Sequence, residues 1–322
     1  MRAITYDRYG ASDVLRIVEI AEPVPRSGEL KVRVRAASLN PVDVKIRAGH
    51  TRLVPMFERP PRGTGVDFAG EVVGTGGGEV AGYFPGARVF GSLSPFGRAG
   101  SFAEYVCVTP DRIALTPSSL GDGEAAALPI AGGTAVQALD DHAHLVHGQR
   151  VLVNGATGGV GHFAVQYARH VGAHVTAVCG PANVAFARDL GADAVLDYTH
   201  EDFTAGTAIF DVIFDATGHV RWRRCRNVLA PGGVYINTSP DAASVLATIA
   251  EAAAARLTGR QRVVGLVLKG GAEAWRRLAR LAESGALRPH IRATIGLGDV
   301  AEAGRQMETG HGRGKVVVDP SR

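Results

Sequence analysis

Apolar and polar residues repeat with two different periods along this chain, and the change falls near Asp122. Before it, residues 30–36 alternate apolar with basic side chains, as a strand with one buried face does. Residues 68–74, 87–90 and 102–108 read as further short strands, punctuated by Gly and Pro. Many short strands with turn residues between them predict a barrel-like β domain. Residues 48–62, with Pro55, Pro60 and Pro61, are too proline-rich for a regular element and are expected to border a cleft. After Asp122, strands (151–154, 175–179, 194–196, 212–216, 233–237) alternate with helical segments such as 182–190 and 221–229. Repeated βα units of this kind predict a parallel sheet covered on both faces. The Ala-rich stretch 242–255 reads as a helix and 262–268 as a strand. Residues 273–284 read as a helix stopped by Gly285, and 314–319 as a strand returning to the β domain. The expected division is 1–121 for a β domain, 122–268 for an α/β domain, and 269–322 for a return to the first.

One stretch carries chemistry. The β-branched run at 151–154 meets Gly155, Ala156, Thr157, Gly158, Gly159, Val160 and Gly161. Beyond it, Val160, Phe163, Ala164, Tyr167 and Ala168 share a helix face. Strand, tight turn and helix in that order suit an anion. Glycines let a phosphate approach the backbone, and the N–H groups and dipole of the helix start favour negative charge. Gly155, Gly158 and Gly161 stand close to the dinucleotide fingerprint. A glycine triplet alone marks only a turn; the flanking strand and helix make nucleotide binding the reading.

Composition narrows the function classes. A chain of 322 residues can hold two modest domains, and 46% hydrophobic with 20% charged residues is ordinary for a globular protein. The formal net charge of +4 comes without a basic tract. The one dense basic spot, residues 221–226, reads as a solvated or phosphate-facing helix end, so nucleic acid is not implied. Cys107, Cys179 and Cys225 are too scattered for a disulfide framework and point to a reducing, cytoplasmic setting. The first residues are strand-like rather than a signal peptide. No apolar run reaches the ~18 residues of a membrane span.

The motifs occur in a specific order: Asn40-Pro-Val-Asp43 with Arg47-x-Gly49, Gly65-Val-Asp-Phe-Ala-Gly70, Gly100-Ser-Phe-Ala-Glu-Tyr105 and Ala126-Ala-Leu-Pro-Ile-Ala-Gly-Gly-Thr-Ala135 come first. Asn154 to Gly161, Leu190-Gly-Ala-Asp-Ala-Val-Leu-Asp-Tyr198, Phe214-Asp-Ala-Thr-Gly218 and Gly314-Lys315 follow. In this order the chain resembles, over nearly its full length, the zinc-independent medium-chain dehydrogenase/reductases of the quinone oxidoreductase type. The resemblance implies an α/β fold: a Rossmann doubly wound parallel sheet plus a discontinuous GroES-like β-barrel domain, with the active site in the cleft between them. Zinc-dependent relatives place Cys and His ligands near positions 40–43 and 65–67 and carry a four-cysteine lobe. This chain has Pro41, Val42 and Asp67 there and no cysteine cluster, so neither zinc site can be assembled. His142, His144 and His147, at an expected helix end, are not read as metal ligands. Ala87 departs from the family's usual Gly-Asp-Arg-Val turn.

A NAD-specific site presents an acid about 20 residues past the glycine turn. Here that strand ends in Cys179 and Gly180 with no acid, which favours NADPH. By resemblance Asn183 and Tyr198 lie near the adenine ribose, Tyr198 having a core aromatic as its alternative role. Thr134 and the turn Ala216, Thr217, Gly218 approach the nicotinamide, Thr134 being alternatively a helix cap or buried hydroxyl. Lys315 closes over the ring. Without zinc, hydride transfer to a quinone or α,β-unsaturated carbonyl is favoured over transfer to a simple ketone, because the acceptor itself spreads the charge. Asn40 and Asp43 are the cleft-facing candidates by motif. Lys45 is either a proton donor or a surface lysine, and water is an alternative donor. A biosynthetic enoyl reductase and a non-catalytic NADPH-sensing protein are the competing functions. The apolar strand 263–268 is a candidate sheet edge, and relatives pair that strand across a dimer, so a homodimer is expected.

Overall fold

The computed structural model describes the 322-residue chain except Leu53, Glu79, Ala81, Ser239, Pro240, Asp241 and His311, and except the side chains of residues 242–245 and 258. Contacts divide the chain into two units, Met1–Gly133 with Lys269–Arg322, and Thr134–Leu268.

The first unit begins with β1 (Arg2–Tyr6), β2 (Arg16–Glu19), β3 (Leu30–Ser38), α1 (Pro41–Arg47), β4 (Arg62–Gly63) and β5 (Asp67–Thr75). It continues through β6 (Arg88–Ser92), β7 (Tyr105–Val108), β8 (Ile113–Leu115), α2 (Asp122–Ala127) and the start of α3 (Pro129–Val136). The alternation of residues 30–36 becomes β3, whose Leu30, Val32 and Val34 are buried with Phe68, Val72, Val89 and Ile113. α2 packs on β3 and β5, so the unit boundary lies at Gly133, later in the chain than the change of period near Asp122. Residues 102–108 contribute strand only over β7. α3 carries the chain from one unit into the other.

The second unit holds β9 (Arg150–Asn154), α4 (Gly161–Val171), β10 (His174–Cys179), α5 (Val184–Asp189), β11 (Ala194–Asp197) and β12 (Phe210–Asp215). α6 (Trp222–Cys225), β13 (Leu229–Asn237), α7 (Ala242–Thr258) and β14 (Arg262–Gly265) complete it. Its six strands are parallel in the order β11-β10-β9-β12-β13-β14. The chain reverses direction across the sheet between β9 and β12, where ligands of such sheets bind beyond the strands' carboxyl ends. The helix expected over 221–229 is only α6, because Val228 and Leu229 leave helical backbone to enter the core and β13. β14 stops at Gly265, short of 268, and forms a sheet edge.

The chain then returns to the first unit through α8 (Ala272–Glu283), β15 (Ile291–Gly296), α9 (Val300–Glu308) and β16 (Lys315–Asp319). α8 buries Trp275, Leu278 and Ala282 at helical spacing, and Gly285 ends it at φ +76°. β16 inserts between β15 and β3 of a seven-stranded sheet ordered β15-β16-β3-β5-β6-β8, with β7 also on β3. That insertion brings Lys315 beside residues nearly three hundred positions earlier.

Candidate functional site

The glycine turn forms at the switch point of the second unit's sheet. Gly155 takes φ +74°, and a Cβ there would lie 2.6 Å from Thr217 Cγ2. A Cβ on Gly161 would lie 2.0 Å from the Gly155 carbonyl oxygen, so α4 can start against the turn only with glycine. Gly155 N and Ala156 N both donate to Val178 O at 3.1 Å, tying the turn to β10. Ala156 and Thr157 are buried, while Gly158, Gly159 and Val160 are partly open. Phosphate-binding backbone has this form, with amides at the start of an eleven-residue helix.

Across the switch point, the buried Asp215 organises the turn after β12. Its Oδ1 accepts from Asn154 Nδ2 (2.9 Å), Thr217 N (3.1 Å) and Thr217 Oγ1 (2.6 Å), and its Oδ2 from Val220 N (2.9 Å). Tyr235 donates to Val220 O and stands 3.4 Å from Asp215 Oδ2; burial first, then the Asp215 charge, pushes its phenol far up. Ala216 N donates to Asn154 O (3.1 Å), and Gly218 has φ +72°. The expected trio Ala216, Thr217 and Gly218 is thus gathered beside Gly155. The residues that hold it, Asn154, Asp215 and Tyr235, were not expected. Asn154 and Asp215 lie inside sequence motifs, but their task shows only when β9, β12 and β13 are adjacent.

At the end of β10, Cys179 is buried, and its thiol is raised by burial. Tyr198 is 53% exposed, which removes the core aromatic role. A Cβ on Gly180 would lie 3.1 Å from the Tyr198 hydroxyl, so the small residue makes room for the ring. Asn183 N donates to Gly180 O (3.0 Å) in a short turn before α5. Thr134, on α3, is buried.

The candidates of the first unit form a second cluster. Asn40 precedes α1, and its N–H donates to Asp43 Oδ2 (2.8 Å), an acid in the first turn where the helix dipole favours it. Both hydrogens of Asn40 Nδ2 are used, one on Ser38 O (3.1 Å) and one on Asp67 Oδ2 (2.9 Å). Lys315 Nζ donates to Asn40 Oδ1 (2.6 Å) and Leu39 O (2.9 Å). Ile130 N, in the first turn of α3, donates to Asp67 Oδ2 (3.1 Å). Asn40, Asp43, Asp67 and Lys315 are all buried. Two expectations change here. The Asn40 amide nitrogen has no hydrogen left for a substrate, and the Lys315 ammonium spends two of its three donors on Asn40 and Leu39. Asp67 joins the cluster, although by sequence it stands only at a position where zinc-dependent relatives place a ligand. Lys45, half-buried on α1, is the remaining candidate that is not enclosed.

The cluster is electrostatically costly. Burial pushes the Asp43 carboxyl up to about 8, with the Asp67 charge adding to it and Asn40 N–H, Lys315 and Arg62 opposing. Burial likewise raises Asp67 to about 7 against the pull of Lys315, Asn40 and Ile130 N–H, and lowers Lys315. Asp43 Oδ1, Asp67 Oδ1 and Ser38 Oγ have no hydrogen-bond partner among the described residues. Both carboxyls bind a proton more tightly folded than unfolded. Their contribution to stability is complete below about pH 4 and is lost as pH rises through about 7 to 8. Lys315, lowered by burial, acts in the opposite sense as pH falls below its ordinary 10.5. Calorimetric melting should therefore show a midpoint that falls from about pH 5 to 8, with a shallower fall in Asp67→Asn. An equal slope in both proteins would rule out Asp67 as a source.

The site has clear relatives. Residues 26–118 match the alcohol dehydrogenase GroES-like domain family, and residues 190–318 the zinc-binding dehydrogenase family. The chain is 35% identical to the chloroplast envelope quinone oxidoreductase homolog of Arabidopsis thaliana, over 99% of this chain and 98% of the relative. It is 33% identical to the 2-methylene-furan-3-one reductase of Solanum lycopersicum, over 99% of this chain and 79% of that protein. The solved quinone oxidoreductase from Coxiella burnetii superposes with a TM-score of 0.88 at 33% identity, covering 99% of both chains. The zinc of the second family's description does not suit the residues present. Asp43 and Asp67 share their cluster with an ammonium that would repel a metal ion, and neither thiolate nor imidazole is among its donors. Among the described residues, no group of three or more His, Cys, Asp or Glu is placed to hold a metal. With this donor set, and with relatives matched end to end, the chain belongs to the zinc-independent quinone oxidoreductase family of medium-chain dehydrogenase/reductases and is an oxidoreductase.

Proposed function

We propose that this oxidoreductase uses NADPH to reduce a quinone or an α,β-unsaturated carbonyl. The observation that carries the reading is the glycine turn at the switch point, followed by a second strand that ends in Cys179 and Gly180 without an acid. A carboxylate there would hold the ribose hydroxyls of NADH and repel a 2′-phosphate; its absence leaves room for the phosphate. The names of two relatives, a quinone oxidoreductase homolog and a furanone reductase, agree with an electron-poor acceptor. When bound, the nicotinamide supplies hydride to an electron-poor carbon. The acceptor's oxygen gains the charge, and Lys45 is the residue proposed to donate to it, with water as the alternative proton source. Asn40 and Asp43 support this by shaping the start of α1 rather than by touching the acceptor.

The test is NADPH oxidation by EDTA-dialysed protein with a panel of quinones, enals and enones, NADH serving as the control. Turnover with NADPH and undiminished rates after EDTA are expected. Tight NADPH binding with no turnover on any acceptor would favour a sensing protein or a dedicated biosynthetic enoyl substrate. The reading includes a cytoplasmic setting, in keeping with three unpaired cysteines; among the described residues no helix is long and apolar enough to cross a membrane. It also includes a homodimer through the open edge of β14, which gel filtration at monomer size would exclude.

A further inference from the structure

His162 is fully buried at the start of α4, one residue past the last glycine of the turn. Its backbone N–H donates to Gly158 O at 3.1 Å, and its ring Nδ1 lies 2.9 Å from the same oxygen. A carbonyl only accepts, so Nδ1 carries the proton and the imidazole is a second donor to that carbonyl. Phe163 packs against the ring at a centroid distance of 3.9 Å, and Gln166 Nε2 donates to the His162 carbonyl (2.9 Å). The residue is therefore fixed from several sides.

The peptide it holds is the one least able to hold itself. Gly158 and Gly159 are consecutive glycines, and neither has a side chain to restrict rotation of the peptide between them. That peptide is trans, so its carbonyl and the Gly159 N–H point in opposite directions. With Gly158 O drawn toward α4 by two donors, trans geometry directs the Gly159 N–H away from that helix, and Gly159 is partly exposed.

We propose that His162 is a positioning residue that clamps the Gly158–Gly159 peptide with the Gly159 N–H aimed at the cofactor pyrophosphate. This rests on the nucleotide reading of the turn. The clamp acts before binding, so its benefit appears in affinity for ligands that carry the pyrophosphate and not in affinity for those that lack it. Asn can place its side-chain N–H where Nδ1 stands; Phe keeps the ring and removes the donor.

The experiment is isothermal titration of wild type, His162→Phe and His162→Asn with NADPH and with adenosine 2′-phosphate, which lacks the pyrophosphate. In His162→Phe the NADPH Kd should rise by about fivefold to tenfold, the range of one lost hydrogen bond. Its Kd for adenosine 2′-phosphate should stay unchanged, and His162→Asn should lie near wild type for both ligands. Should His162→Phe fail to fold, His162→Leu gives the same ratio. An unchanged NADPH Kd in the donor-less variant overturns the proposal. So does an equal loss for both ligands, which would mark a merely structural role. Wild-type protein that binds neither NADPH nor NADH would overturn the nucleotide reading itself, and the clamp with it.

Discussion

Lys315→Met should destabilise the protein by about 3–5 kcal/mol, the cost of two lost buried hydrogen bonds and of buried carboxyls left with one cation fewer. The variant removes the donor to Asn40 Oδ1 and Leu39 O, and with it the ammonium that offsets Asp67 and, together with Arg62, Asp43. It also loosens the join between β16 and β3, since Lys315 is the first residue of β16 and Leu39 directly follows β3. The urea midpoint should fall accordingly. Combining Lys315→Met with Asp67→Asn should recover part of the loss, because the second change removes a charge that the first left exposed to low dielectric. No recovery would mean that Lys315 acts through packing and hydrogen bonds alone. The loss should be smaller below about pH 5, where the raised carboxyls are protonated and no longer need the ammonium.

Gly161→Ala should abolish useful cofactor binding while the second unit still folds. The added methyl would stand 2.0 Å from Gly155 O and 2.8 Å from Ala156 Cα, and both are backbone atoms that cannot rotate aside. The turn must open, and the amides at the start of α4 then lose their common aim. Losing two charge-assisted hydrogen bonds to phosphate corresponds to about a hundredfold or more in Kd. Titration with NADPH measures it, and circular dichroism shows whether the helices persist. Affinity within threefold of wild type would mean that the turn does not hold the phosphates.

Much of this site was legible in the sequence because it is local. The turn 155–161, its strand and its helix need only glycines in place and two apolar periods around them. The left-handed stop at Gly285 and the apolar face of α8 follow from the same short-range rules. The length of α6 was not legible, because whether Val228 and Leu229 continue a helix or enter a sheet depends on the core they meet.

The first unit's candidates show the boundary more sharply. Motif order drew attention to Asn40, Asp43 and Lys315, yet their roles depend on which hydrogen bonds the side chains make. Nothing near Asn40 in the chain says that its amide is used up by Ser38, Asp67 and a lysine 275 positions away. Likewise, Tyr198 could belong to a core or a surface until the fold left it exposed above Gly180. By itself the sequence determined the parallel α/β sheet, the phosphate-type turn, the absence of an acid after the second strand and the want of zinc-type ligands. Those are set by residue type and near-neighbour spacing. Only the tertiary structure decided that Asp43, Asp67, Asn40 and Lys315 share one buried cluster, and that Asp215 steadies the turn opposite the glycines. Desolvation and hydrogen-bond saturation belong to a place in space, and no stretch of chain carries them before strands far apart in sequence are brought together.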